Sequence, residues 1–338
     1  MSAYAPLLRR LIAGEDLTSD AAADFVGGVM DGTLTPVQSA GVLVALAAKG
    51  EAIDEIVGAA RAMRERSLRV EHALPVVVDV VGTGGDGANT INVSTMAALV
   101  VAAAGFPVAK HGNRAASSAC GSADVLEAAG LPVEISPGVA ARMLCQTGFT
   151  FMFAPRYHPA MRTVGPIRRE LGVRTIFNVL GPLTNPARAN YAVVGVARRE
   201  LVDVLGRVLR ELGVERGAVV HGTNGIDEVA GDVPTLVHSF DSETSATWLL
   251  DPAEYGVRVP LESIVGSSVD VCRDAFLAIL GGEPSPASNV VALNAALALQ
   301  VLGAHRALDE ALDRATAILR GGDALRTFER AKEFAIDG

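Results

Sequence analysis

The spacing of apolar and polar residues changes near residue 75 and divides the chain in two. Before that point apolar residues recur at helical intervals. One helix is expected to begin near Ser19 and close at Asp31-Gly32. Thr35-Pro36 offers an N-cap followed by proline in the first turn, and the run Val42–Ala48 stops at Lys49-Gly50. A further helix is expected from about Ile53 to Arg66, with Asp54 and Glu55 at its start and Arg61, Arg64 and Arg66 toward its end, as the helix dipole favours. From Pro75 the pattern predicts alternation: a strand at Val76–Val80, a helix at Ser94–Ala104, a short strand at Pro107–Ala109 and a helix at Ser122–Ala129. Strands at Ala192–Val196 and Ala218–His221 follow, with a helix near Glu200–Leu212 between them. Such alternation predicts an α/β protein with a mostly parallel sheet covered by helices on both faces. The last third, Val269–Ala335, reads as largely helical, with Pro286–Leu302 its clearest member, whereas Pro252 to Ser268 carries no readable period. The first 70 residues are too few to bury their own apolar faces, which are expected to pack on the rest of the chain or on a second subunit.

With 338 residues there is room for about two domains. Half the residues are apolar but only 4% are aromatic, so the core must be built from Ala, Val, Leu and Ile. The formal charge of -9 speaks against nucleic acid or an anionic membrane as partner, but not against a small anion held by a few cations in a cleft. Cys120, Cys145 and Cys272 are far apart and form no metal pattern, which suggests a reducing compartment. The first residues lack the basic-then-apolar order of a signal peptide, and no apolar run is long enough to cross a membrane. A cytoplasmic location is expected.

Several clusters carry candidate chemistry. The apolar run ending at Val81 leads into Gly82-Thr83-Gly84-Gly85-Asp86-Gly87, a loop that brings backbone N–H groups close to a phosphate or simply makes a tight turn. Asn92-Val93-Ser94-Thr95 opens the next helix, where polar side chains and unbonded N–H groups suit an anion, although capping by Asn92 or Ser94 is also expected. Lys110-His111-Gly112-Asn113-Arg114, then Ser117-Ser118 and Gly121-Ser122, sit at the same predicted sheet edge, where Lys and Arg neutralise phosphates or form a solvated basic turn. Asp227-Glu228 follows a buried strand, and paired carboxylates there suit Mg²⁺, though such pairs also occur on ordinary surfaces. An arginine among Arg156, Arg162, Arg168 and Arg169 could take a carboxylate through its fork, and His158 lies beside them.

Taken together, Gly82–Asp86, Asn92–Thr95, Lys110–Arg114, Gly121-Ser122-Ala123-Asp124, Asn178–Pro186 and Asp227-Glu228 resemble the anthranilate phosphoribosyltransferases, in order and over nearly the whole chain. The resemblance implies the nucleoside phosphorylase/phosphoribosyltransferase fold: a helical domain over residues 1–72, joined by a helical segment near 158–188, and an α/β catalytic domain over 73–338. It implies transfer of the 5-phosphoribosyl group from 5-phosphoribosyl 1-pyrophosphate (PRPP) to the amino group of anthranilate, a step of tryptophan biosynthesis, by a homodimer joined through the helical domains. It places PRPP against Gly82, Gly85, Asp86, Thr90, Asn92, Val93, Ser94, Thr95, Lys110, His111, Gly112, Asn113, Arg114, Ala115, Ala116, Ser117, Ser118 and Ser122. It places anthranilate against Gly82, Asn113 and Arg168, with His111 and His158 along the same passage. Two Mg²⁺ ions are implied, one on Ser94 and Glu228 and one on Asp227 and Glu228. Neither a covalent nucleophile nor an acid–base residue is expected. Ala115-Ala116 departs from the hydroxyl residue common there, and Thr223-Asn224-Gly225 from the commoner acidic turn. The glycine loop alone would also suit a nucleoside phosphorylase, and a nucleic-acid-binding relative on the same fold would be expected to show a basic groove and to lack the Asp-Glu pair.

Overall fold

The computed structural model describes residues 4–115 and 118–337. Four helices come first: α1 (Tyr4–Ile12), α2 (Ser19–Met30), α3 (Pro36–Lys49) and α4 (Ile53–Glu65). Thr35 caps α3 reciprocally with Gln38, each side chain accepting the other's backbone N–H at 3.3 and 3.0 Å. Buried Glu55, at the start of α4, accepts Leu17 N–H at 2.9 Å, Ala52 N–H at 2.7 Å and the Lys49 ammonium at 3.0 Å, which ties three helix ends together. Then follow β1 (Val78–Gly82), α5 (Val93–Ala103), β2 (Val108–Gly112), α6 (Ser122–Ala128), α7 (Pro137–Thr147), β3 (Phe149–Phe153), α8 (Ala154–Tyr157), α9 (Met161–Leu171), β4 (Tyr191–Gly195), α10 (Leu201–Glu211), β5 (Arg216–Gly222), β6 (Thr235–Phe240), β7 (Ser245–Leu250), α11 (Val269–Leu280), α12 (Pro286–Val301), α13 (Leu308–Arg320) and α14 (Asp323–Asp337).

The strands form one sheet in the order β3-β2-β1-β4-β5-β6-β7. The first five in that order are parallel, and the last two pairings, β5 with β6 and β6 with β7, are antiparallel. Chain order reverses between β1 and β4, and in open α/β sheets ligands bind beyond the strand ends at such a switch point. Side chains alternate across the sheet as the pleat requires. Val193, Ala218 and Val220 join a core with α5, α12 and α14, whereas Ala192, Val194 and Val219 join a second core with α10 and the helices of the first 65 residues. The N-terminal helices therefore share their core with one face of the sheet.

The predicted elements appear, with shifted edges. The first strand begins at Val78 rather than Val76, because its parallel pairing with β4 starts there and runs through Gly82. β3, β6 and β7 and helix α7 lay outside the predicted pattern. All five residues of β3 are buried, so it has no polar alternation to read.

Candidate active site

A cavity of about 1180 Å³ opens at the carboxyl ends of β1, β2 and β4. It is larger than the roughly 300–1,000 Å³ of most single-ligand pockets. Every described site residue expected from the sequence lines it except Val93. Val93 is fully buried in the core beneath, and its N–H bonds to Ile91 O at 2.7 Å. Ala116 and Ser117 lie outside the described residues.

The acidic corner is built by close backbone approach. A Cβ on Gly195 would fall 1.6 Å from the Asp227 carbonyl oxygen, and one on Gly82 would fall 2.4 Å from Asp227 Oδ2. Only glycine at these two strand ends lets the 227–228 segment settle on the sheet edge. Gly84 N–H donates to Asp227 Oδ2 at 2.6 Å, and Ser94 N–H to Glu228 Oε1 at 3.1 Å. Burial, and then the nearby Asp86 carboxylate, hold Asp227 above the usual carboxylate range. Burial, and then Asp227, do the same for Glu228. Asp86 Oδ2 is buried without a hydrogen-bond partner. Carboxylates crowded in this way favour a cation among them. No group of three or more His, Cys, Asp or Glu among the described residues could enclose a metal ion by itself. The donor set therefore fits a hard divalent ion that takes one or two carboxylates and a hydroxyl from the protein and completes its shell with water and ligand phosphate oxygens.

Opposite the acids stands Lys110, almost wholly buried, whose ammonium donates to Val80 O and, at 3.3 Å, to Ser94 Oγ. Burial lowers its pKa, opposed by the charges of Asp79, Glu228 and Asp227. Asn92 sits at the N-cap of α5 but makes no side-chain cap. Its Nδ2 donates to Cys120 O at 3.1 Å instead, which leaves Asn92 Oδ1 and Thr95 Oγ1 buried and unbonded. The expected capping is thus absent, and these polar atoms remain for a ligand. The Arg114 guanidinium is engaged by Glu127, at 2.9 Å through Nη2, and by Asp124 at 3.4 Å, and it lies over the Phe153 ring. Its charge is already paired.

Across the cavity, α9 supplies Arg168, half-buried, whose side chain makes no ion pair or hydrogen bond with the described residues; burial lowers its pKa. His111 and His158 pack with ring centroids 5.0 Å apart and planes tilted by 55°, and His111 Nδ1 meets Gly181 O at 3.0 Å. Burial moves His111 down to about 4 and His158 down to about 3, so both are neutral near pH 7. The unfolded chain takes up protons below about pH 6.5 that these rings refuse, so their stabilisation is complete above that pH and is lost as pH falls. His158→Gln is accordingly expected to close its stability deficit against wild type by about 2–3 kcal/mol between about pH 7.5 and 4.5, read from urea midpoints; a constant deficit would contradict the buried neutral ring.

Two features were missed from sequence. Arg174 Nη2 donates to Gly85 O at 2.7 Å and so braces the glycine loop, where Gly85 has φ +77°. Nothing in the spacing around Arg174 signals this. Asp79 is buried within β1, and a charged residue inside a run of valines was a signal available to be read.

Comparison with known proteins gives one family in two parts. Residues 74–325 match the glycosyl transferase family, a/b domain, and residues 5–67 the glycosyl transferase family, helical bundle domain. The chain is 46% identical over 329 residues to an anthranilate phosphoribosyltransferase of Symbiobacterium thermophilum, covering 97% of this chain and 96% of that one. It is 48% identical over 323 residues to one of Herpetosiphon aurantiacus, covering 94% and 95%. Among solved structures it superposes on the enzyme of that name from Thermus thermophilus with a TM-score of 0.92 at 42% identity, covering 98% of this chain and 99% of that one. It superposes on the Saccharomyces cerevisiae enzyme in complex with PRPP and Mg with a TM-score of 0.91 at 26% identity, covering 99% and 98%.

Proposed function

Because the chain belongs to the anthranilate phosphoribosyltransferases, and so transfers the 5-phosphoribosyl group of PRPP to the amino group of anthranilate, we propose how its cleft divides that work. The observation that carries the reading is the pairing of a cation-seeking acidic corner with a buried ammonium on one side and an unpaired guanidinium on the other.

The donor lies over the glycine loop and the start of α5, where backbone N–H groups, Asn92, Thr95 and Lys110 meet its phosphates. Magnesium, present with PRPP in the yeast relative, fits the acidic corner. Ser94 and Glu228 hold one ion, and Asp227 and Glu228 a second. Bound magnesium neutralises the pyrophosphate as it departs. Anthranilate enters along α9 with its carboxylate on Arg168 and its ring beside His111, His158, Gly82 and Asn113. The C1–O bond of the donor breaks with its electron pair going to pyrophosphate, and the amine lone pair forms the new N–C1 bond. The aryl amine is neutral near pH 7, and its nitrogen sheds a proton to solvent after the bond forms. The two buried imidazoles, uncharged, shape an apolar passage rather than exchange that proton. Rate comes from holding two reactants in line and from charge placed in advance.

Residues 1–72 act with the segment near 158–188 as a helical unit that carries the acceptor wall. Its outer face on α1 and α3 exposes Ile12, Val37 and Val44, which suits contact with a second copy. No helix among the described residues is long and apolar enough to cross a membrane.

Loss of anthranilate fluorescence on incubation with PRPP and Mg²⁺ measures the reaction directly. Arg168→Ala is expected to raise KM for anthranilate by about 10- to 100-fold, the loss of a charge-assisted hydrogen bond, while KM for PRPP stays within about threefold. The opposite order would assign Arg168 to the donor.

A further inference from the structure

The parallel pairing of β1 with β4 runs through five residue pairs, from Val78–Tyr191 to Gly82–Gly195. Pairing of β1 with β2 holds at Val78–Val108 alone. Past that pair, side chains take over the groups that a ladder would satisfy. His111 N–H donates to Asp79 Oδ1 at 3.3 Å, Ala109 O accepts Asn185 Nδ2 at 2.8 Å, and Val80 O accepts the Lys110 ammonium. Asp79 and Asn185 close on each other: Asn185 Nδ2 donates to Asp79 Oδ2 at 2.7 Å, and Asn185 Oδ1 accepts Ala187 N–H at 2.8 Å. Both side chains are buried, and neither lines the cavity. Buried polar groups that satisfy one another fully fix a single geometry, and a carboxylate in a strand of valines has no packing reason to be there.

We propose that Asp79 and Asn185 are positioning residues that wedge β1 and β2 apart at their carboxyl ends and so set where Lys110 meets the phosphoribosyl donor. The wedge decides the span between the glycine loop after β1 and the Asn113-Arg114 turn after β2. An unbroken ladder would draw those two loops together and give Val80 O to the His111 N–H instead of the Lys110 ammonium. The proposal rests on the cleft reading given above, in which Lys110 serves the donor.

The test compares wild type with Asp79→Asn, measuring PRPP uptake by calorimetry with Mg²⁺ and steady-state kinetics for each substrate. Failure of wild type to take up PRPP would overturn the cleft reading itself, independently of the wedge. Asp79→Asn sets two amides face to face. It is expected to raise Kd and KM for PRPP and to lower kcat, each by about 10-fold or more, with KM for anthranilate within about threefold, since a displacement near 1 Å can cost about 100-fold. Folded Asp79→Asn with wild-type donor binding, or equal changes in both KM values, overturns the proposal. If Asp79→Asn does not fold, Asn185→Ser replaces it with the same expectations; if neither folds, the pair is structural and the proposal fails.

Discussion

Asp227→Asn/Glu228→Gln is expected to lower turnover by about a thousandfold or more while leaving the melting temperature unchanged or higher. The activity loss follows from removing the charges that draw a divalent ion to the departing pyrophosphate, where a single stabilising group can be worth about 100- to 1,000-fold. The stability result follows from the opposite role of the same charges in the empty fold. Both carboxyls are held above their ordinary range, Asp227 by burial and then Asp86, Glu228 by burial and then Asp227, so their ionised forms oppose folding and neutral isosteres relieve that cost. Thermal melts and calorimetric PRPP uptake with Mg²⁺ separate the two effects. Turnover within about tenfold of wild type would remove the ion from this corner.

Gly195→Ala should be the most damaging single methyl at the strand ends beneath the cleft. Its Cβ would fall 1.6 Å from the Asp227 carbonyl oxygen, and the obstacle is backbone, which cannot swing aside as a side chain can. The 227–228 segment must lift off the sheet edge and carry both carboxylates away from Ser94 and the glycine loop. Overpacking of this kind costs about 1–3 kcal/mol in stability. The larger consequence is kinetic: kcat/KM for PRPP is expected to fall about 100-fold or more, since catalytic groups misplaced by about 1 Å lose about that much. Gly138→Ala, in α7, meets only Arg142 Nη1 at 3.9 Å and serves as the control, with kinetics and melting near wild type. Comparable behaviour of the two variants would show that the 227–228 segment has slack.

Much of this site was legible because its signals are local. The Gly82–Gly87 loop, the Lys110–Arg114 turn and the Asp227-Glu228 pair each state their chemistry within a few residues, and the parallel alternation brings all three to one edge. What escaped depends on distant partners. Arg174 braces Gly85 across 89 positions of chain, and Asn185 meets Asp79 across 106. Asn92 looked like a cap because its position is a cap; only the fold shows that Cys120 takes its amide. Arg114 looked available to a phosphate until α6 brought Glu127 against it. Among the strands, β3 hid in a segment with no polar alternation, and antiparallel β6 and β7 followed no crossover helix that would have announced them.

The N-terminal helices have no interior of their own: Leu43, Ile56 and Val57 belong to the same apolar cluster as Val194 and Val219 of the sheet. Buried Arg64 adds struts from α4 to the carbonyls of Leu183, at 2.6 Å, and Leu212, at 2.8 Å. A separable module would need its own solvent-shielded centre, and here severing the first 65 residues would bare one side of the strands that present the catalytic loops. The acceptor wall and the donor floor are therefore co-dependent in folding, and a chain truncated before β1 would forfeit the half that remains.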